Sequence, residues 1–206
     1  DGLKISLRKI LYSSFKKRLS SEIKVAQFSG YVSEHSCYHH GEESLNQAIV
    51  GMAQNFVGSN NVNLLVPVGQ FGSRIKGGKD ASSPRYIFTR QERITRRIFI
   101  EQDDHVLKYL TDDGTPVEPQ FYVPIIPMVL VNGSKGIGTG FSTEILCYNP
   151  LTLINKLQLK IKDPTNDDIE LEPYYEGMNY TAIINGEKNK VYITPESYKN
   201  TTVKFY

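Results

Sequence analysis

The sequence predicts an α+β fold in two parts: a helix-turn-helix with a β wing over residues 1–117, then the incomplete beginning of an α/β domain over residues 118–206. Three observations carry this prediction. Apolar residues recur at helical spacing in three separate runs within the first 60 residues. After Gly58-Ser59-Asn60-Asn61 the texture changes to short extended runs around a glycine-rich loop. Near Glu118 a second change brings extended apolar segments, one further helical pattern and alternating strands.

In order along the chain, Leu3, Leu7, Ile10, Leu11 and Phe15 step by three and four, with Lys4, Arg8, Lys9, Lys16 and Lys17 filling much of the remainder. A helix with one buried side and one basic side is expected. A second helical pattern runs through Ile23, Val25, Ala26 and Phe28 toward His35, weakened at Gly30. The third is the clearest. Leu45, Ala48, Ile49, Met52, Ala53 and Phe56 follow His40-Gly41, and Glu42 and Glu43 stand in the first turn, where carboxylates meet the positive end of the helix dipole. The short polar turn between the last two helices makes the helix-turn-helix.

Residues 63–68 are expected as a strand and 69–84 as a turn-rich loop, together forming the wing. Helix is expected again over 89–99, with Arg90, Arg93, Arg96 and Arg97 on the polar side of Ile94 and Ile98. Asp103-Asp104 and Asp112-Asp113-Gly114 read as a cap and a turn, as does the pair at 167. Residues 121–131 are extended and apolar, with prolines that fit a strand end or a sheet edge. Asn132-Gly133 is a turn signal leading into a flexible glycine loop. A helix over 150–161, with Leu151, Ile154 and Leu157 on its apolar side, precedes strands at 181–184 and 190–193.

Composition narrows the function classes. No apolar run approaches the roughly 18 residues that span a bilayer, and Asp1-Gly2-Leu3-Lys4 carries no signal-peptide pattern, so no membrane partner is expected. Cys37 and Cys147 are too few for a disulfide framework and fit a reducing interior compartment. A start without methionine points to a piece of a longer polypeptide. The net charge of +2 conceals an asymmetry: the first 100 residues hold 15 Lys or Arg against 7 Asp or Glu, the remainder 9 against 15. All eight arginines fall at or before Arg97. A polyanion partner for the first half follows, nucleic acid first among the candidates.

The stretch Gly77 to Phe88, GGKDASSPRYIF, begins like a phosphate-binding loop. That pattern needs a glycine five residues before its Gly-Lys pair and a Ser or Thr after the lysine, where this chain has Ser73 and Asp80. An aspartate would repel a triphosphate, which moves the interest to Arg85-Tyr86. A tyrosine phenol can attack a phosphodiester and hold the phosphate as an ester, and exchanging one ester for another allows the bond to be remade. A phenol ionises only near pH 10, so it needs help, and the adjacent guanidinium can offset charge on a non-bridging oxygen. The ordinary alternative is that Tyr86, one of 13 tyrosines, is a packing residue.

Two further clusters stay open at this level. His35, Cys37, His39, His40 and Glu42 could be drawn into a zinc site, although their spacing matches no established zinc pattern. They could equally form a polar turn, or His39 and His40 could meet backbone phosphate at a helix N-terminus. The glycines at 136, 138 and 140 fail the G-x-G-x-x-G spacing of a dinucleotide site and leave Ile137 either packed inward or able to wedge between base steps.

Taken together, DGLK with RKIL, KVAQFSGYVSEHSCYHHGEESL, AQNFVGSNN, GQFG with GGKDASSPRYIFT, DDH, VEPQFYVPIIPMVLVNG and GIGTG resemble the DNA breakage-reunion region of eukaryotic-type DNA topoisomerase II, a type IIA enzyme. The resemblance covers residues 1–141 in order. It implies a winged-helix domain followed by the start of a tower domain, within a homodimer that cuts both strands of one duplex and passes another through the gap. On the matching positions, Tyr86 is the nucleophile that becomes linked to a 5′ phosphate and Arg85 its catalytic partner. Arg8 and Lys24 fall on DNA-contacting positions, His39 and His40 beside the scissile phosphate, and Ile137 on an intercalating residue; Arg8, His39 and His40 are thus counted with Tyr86 and Arg85 as catalytic, and Lys4 and Lys79 join Lys24 and Ile137 as DNA contacts.

The resemblance further implies Mg2+ and ATP as cofactors of the full-length enzyme, both bound outside this fragment, so no metal site is expected here and the fragment alone is expected to be inactive. It places the protein in the nucleus, or in a cytoplasmic viral factory if viral. Ile5-Ser6 stand where the family commonly has Pro-Gly and Phe141 where it often has Trp, which fits a divergent member from a protist or a large DNA virus. Two competing readings remain: a winged-helix DNA-binding module without chemistry, and a phosphodiesterase using the histidine cluster and a metal.

Overall fold

The computed structural model describes residues 1–166, 170–177, 180–184 and 191–195. The first part is built on three helices of 12 residues each, α1 (Ile5–Lys16), α2 (Val25–Ser36) and α3 (Glu42–Ala53), each packed against the other two. Their apolar stripes meet in one core, where Ile10, Leu11, Val25, Phe28, Val32, Leu45, Ile49 and Ala53 are buried almost completely. The third helix stops at Ala53, so Phe56 lies beyond it.

Two expectations are corrected by one small sheet. Strands β1 (Ile23–Lys24), β2 (Leu65–Val68) and β3 (Phe88–Gln91) pair antiparallel in the order β1-β3-β2. The second helix therefore begins at Val25, not Ile23, because Ile23 and Lys24 are paired with Thr89 and Phe88. The helix expected over 89–99 shrinks to α4 (Thr95–Ile98). Thr89 is the reason. It is fully buried between Ile23 and Pro67, and its hydroxyl donates to the Val66 carbonyl at 2.9 Å, so pairing across the sheet outweighs the local helical spacing.

After a 3-10 turn at Glu101–His105, β4 (Tyr109–Asp112) and β5 (Thr115–Pro119) form a hairpin. Its turn residues Asp113 and Gly114 both have positive φ, 46° and 80°, the backbone that an Asp-Gly pair favours in a two-residue hairpin loop. The expected division after Val117 falls inside β5. Here Lys9 departs from the basic outer face expected of α1. It is buried, donating to the Ser36 carbonyl and to Glu118 Oε2 at 2.8 Å, and so ties α1, the end of α2 and β5 together.

The apolar stretch 121–127 forms no strand: Tyr122 and Ile126 enter the core while Phe121, Val123 and Ile125 stay more than half exposed. A short helix α5 (Met128–Val131) follows, then a hairpin of β6 (Ser134–Gly138) and β7 (Phe141–Ile145). Helix α6 (Pro150–Lys162) starts under Asn149, whose side-chain oxygen accepts from Leu151 N and Thr152 N at 2.8 and 3.4 Å. Its buried anchor is Leu153, and Leu151, expected on the apolar side, is exposed. Asn61 fastens this part to the first, its amide donating to the carbonyls of Val131, Tyr148 and Tyr174. Strands β8 (Tyr180–Ile184) and β9 (Val191–Pro195) pair antiparallel. The Asp167 turn and Lys190 lie outside the described residues. Among the described residues no helix is long and apolar enough to cross a membrane.

Candidate functional site

Arg85 and Tyr86 lie on a turn that is fixed from two directions. Tyr86 N–H donates to the Ser83 carbonyl at 2.9 Å, and Pro84 occupies the second position of that four-residue turn, where its fixed φ is favoured. From the other side comes the start of α2, whose first N–H groups lack partners within the helix. Val25 N–H donates to the Ile87 carbonyl at 3.0 Å and Ala26 N–H to the Pro84 carbonyl at 3.1 Å. The backbone is thus clamped on both flanks of the pair while the side chains stay free. Tyr86 is 71% exposed, its hydroxyl has no hydrogen-bond partner among the described residues, and the Arg85 guanidinium carbon is 6.0 Å from its ring centre. Lys24, exposed on β1 opposite Phe88, stands beside them.

The glycine-rich loop before this turn is closed on itself. Ser73 N–H and hydroxyl each donate to the Asp80 carboxylate at 2.7 Å, and these bonds hold Asp80 below the usual carboxylate range. The two residues that spoil the phosphate-loop pattern are therefore partners. Gln54 Nε2 ties the loop down through the carbonyls of Phe71 and Gly78, and Gly72 passes so close to Gly78 that a Cβ there would lie 2.6 Å from its backbone. Lys79 is exposed on this loop.

The histidine cluster divides. The ring of His35 stacks on Tyr31 at 3.8 Å, His39 Nε2 is 2.7 Å from Asp112 Oδ2 at the β4–β5 turn, and His40 meets the Tyr38 ring edge-on at 5.4 Å. Among the described residues no three His, Cys, Asp or Glu side chains converge as a metal ion requires. Both His39 and His40 are exposed just before α3. They follow the C-terminal end of α2, about 18 Å long for its 12 residues, whereas the turn bearing Tyr86 docks on its N-terminal end.

Arg8 is mostly occupied inside the molecule: Nε and Nη2 fork onto Asp1 at 2.9 and 3.0 Å, and Nη2 also reaches the Leu3 carbonyl. Burial lowers its pKa from the ordinary value, opposed by the Glu118 carboxylate. Lys4, exposed, immediately precedes α1. Ile137 belongs to β6 opposite Ser142, not to a flexible loop, and at 92% exposed it is excluded from the core. Ile137→Ala is accordingly expected to leave stability within about 0.5 kcal/mol of wild type in thermal melting without DNA.

The chain is 58% identical over 177 residues to a Dictyostelium discoideum protein named probable DNA topoisomerase 2, covering 86% of this chain and 12% of that one. It is 52% identical over 189 residues to DNA topoisomerase 2 of Plasmodium falciparum, covering 91% and 13%. A family model for the A-type subunit of DNA gyrase/topoisomerase IV matches residues 1–204. The chain belongs to the DNA topoisomerase II family. The crystal structure of the Plasmodium falciparum topoisomerase II DNA-binding, cleavage and re-ligation domain matches it with a TM-score of 0.87 at 52% identity, over 91% of this chain and 25% of that one. The mixed helix and sheet architecture is thus shared with a solved topoisomerase II domain, and this chain spans only a small part of its relatives' lengths.

Sequence reasoning missed what positions Tyr86 in this topoisomerase II chain, namely the N-terminus of α2 docked under Pro84 and Ile87. The one local signal was Pro84, placed to pre-form the turn.

Proposed function

We propose that this chain is the central DNA-cleaving part of an ATP-dependent type II DNA topoisomerase. Residues 1–117 are read as its winged-helix domain, with β2, β3 and their glycine-rich connection as the wing, and residues from 118 as the beginning of its tower domain. The observation that carries the reading is the clamped turn that offers an exposed phenol beside a guanidinium. The Tyr86 oxygen attacks the phosphorus of a DNA phosphodiester, the bond to the 3′ oxygen breaks, and that oxygen leaves with a proton as a 3′ hydroxyl. The 5′ phosphate stays on Tyr86 as an ester, and the reverse attack reseals the strand. Arg85 offsets charge on a non-bridging oxygen, and the positive end of the α2 dipole lies under the pair.

Lys4, Lys24 and Lys79 hold the backbone by charge, and Arg8 through what its fork to Asp1 leaves free. Cutting both strands takes two copies of Tyr86, which supports a homodimer. Since His39 and His40 follow the C-terminal end of α2 while the Tyr86 turn docks on its N-terminal end, the scissile phosphate they serve is read as the one attacked by the partner subunit's Tyr86. Ile137 is the wedge: opening a base step costs a few kcal/mol of stacking, recovered as the bend brings phosphates onto basic residues. Magnesium and ATP belong outside this chain. Its described residues offer no cation-binding cluster and its glycine loop is closed by Ser73 and Asp80, so neither group fits here and no step above passes through one. The nucleus is the proposed compartment, or a cytoplasmic viral factory if the protein is viral.

Arg85→Ala in the full-length enzyme is expected to slow cleavage about 100- to 1000-fold with DNA binding retained, the scale of losing one transition-state donor. Rates of adduct formation from rapid-quench experiments check this. A winged-helix module without chemistry would form no denaturation-resistant adduct at all.

A further inference from the structure

At the far end of β3 from Tyr86 lies a cleft of about 790 Å³ lined by Arg18, Arg90, Arg93 and Arg96. Arg96 is occupied, forked onto Asp104 at 2.7 and 3.1 Å with its guanidinium 3.4 Å over the Phe15 ring. Arg18, Arg90 and Arg93 have no acidic partner within ion-pair distance among the described residues. Glu92 and Glu101 also line the cleft, and Glu92 Oε1 accepts the backbone N–H of Arg93.

Two features argue that these guanidinium groups are kept for a ligand. Arg18 has φ 49°, in the left-handed region. It follows the α1 C-cap, and Arg18 N–H and Leu19 N–H close onto the carbonyls of Phe15 and Ser14 at 2.9 and 3.1 Å, an arrangement in which glycine is the favoured residue. An arginine there carries backbone strain that glycine would not, and such strain concentrates at functional sites. The second feature is the sheet register. Thr89 faces the core, so Phe88, Arg90 and Lys24, which pairs with Phe88, share the opposite face. Cationic side chains thus run along one face from beside Tyr86 into the cleft.

We propose that Arg18, Arg90 and Arg93 form a second phosphate-contact site, gripping the backbone of the DNA duplex to one side of the break. This rests on the reading of Tyr86 as the nucleophile. At about 3.3 Å per extended residue, the backbone of Arg90 lies at most about 13 Å and that of Arg93 at most about 23 Å from Tyr86. At roughly 3.4 Å per base pair, the gripped phosphates lie up to about four to seven positions from the one that is cut. Guanidinium forks suit phosphate, and such contacts fix register without reading sequence. They hold one arm of the duplex while its strand is broken.

The test uses the full-length enzyme with Arg18→Gly, Arg90→Gln and Arg93→Gln, singly and together. Its probes are a plain duplex and one with uncharged methylphosphonates about four to seven positions from the cleaved bond, the spacing derived above. The triple variant is expected to lower the slope of log K against log salt by about 2.7, roughly 0.9 per lost contact. Methylphosphonates should weaken wild-type binding and add nothing in the triple variant. Arg18→Gly is expected to keep or raise the melting temperature, which separates lost contact from lost fold. A wild-type slope in the triple variant, or methylphosphonates that weaken both proteins alike, overturns the proposal. So does unchanged DNA binding with lost binding of poly-glutamate, which would make the cleft a dock for acidic protein. A wild-type enzyme that forms no Tyr86 adduct fails the underlying reading instead, by a separate measurement.

Discussion

Tyr86→Phe is expected to bind duplex DNA with the wild-type salt dependence and to form no covalent adduct. The substitution removes one oxygen from a side chain that is 71% exposed and makes no hydrogen bond among the described residues, so no partner is left unsatisfied. The turn depends on backbone bonds to the carbonyls of Ser83, Pro84 and Ile87, which phenylalanine leaves in place, and the cost to stability stays within about 0.5 kcal/mol. On the proposed reading binding rests on lysines and arginines elsewhere, so its salt slope is expected to stay unchanged. The chemistry has no substitute, because a phenyl ring cannot attack phosphorus. Fluorescence anisotropy across a salt series, beside a denaturing gel for trapped adduct, reads both halves. An adduct that persists in the variant shows that the nucleophile is another residue.

The largest expected effect on stability is at the opposite end of α2. Glu118→Gln is expected to destabilise the protein by about 3–5 kcal/mol, because it leaves the Lys9 ammonium buried without its counter-charge. Glu118 is 3% exposed and Lys9 is 9% exposed, so water cannot replace the lost partner. Lys9 also holds the Ser36 carbonyl at the end of α2, and β5 belongs to the hairpin whose Asp112 pairs with His39. Loosening β5 therefore disturbs the histidine turn as well as the core. The double variant Lys9→Met/Glu118→Leu removes both charges and is expected to recover most of the loss, since apolar replacement of a buried pair is often neutral. Urea unfolding of the three proteins decides it. A single variant as stable as wild type would mean that the pair contributes nothing.

The three long helices were legible because each buries a stripe wide enough to show its period over 12 residues, and because Glu42 and Glu43 mark the start of α3. The Asp113-Gly114 turn and the Pro150 start of α6 were legible from local backbone chemistry. What failed was decided at a distance. Strands of two and four residues have no period of their own, and β1 and β3 exist because Ile23 finds Thr89 across more than sixty residues of chain. Lys9 read as a surface lysine because nothing near it in sequence announces Glu118. At the site, Arg85-Tyr86 stood out only through its surroundings and the resemblance, one tyrosine among 13. The clamp that presents it joins residues 25 and 26 to 84 and 87, and no local pattern encodes that. Nor could spacing tell that Ile137 points outward, since glycines flank it on both sides.

The most direct test of the central claim is to map the covalent bond itself. The full-length enzyme is incubated with duplex DNA and magnesium, stopped with denaturant, and digested with nuclease and protease, and the nucleotide-bearing peptide is sequenced by mass spectrometry. The expected product is the peptide containing Tyr86, its phenolic oxygen esterified to a 5′ phosphate. A link to any other residue, a link through a 3′ phosphate, or no linked peptide at all would contradict it.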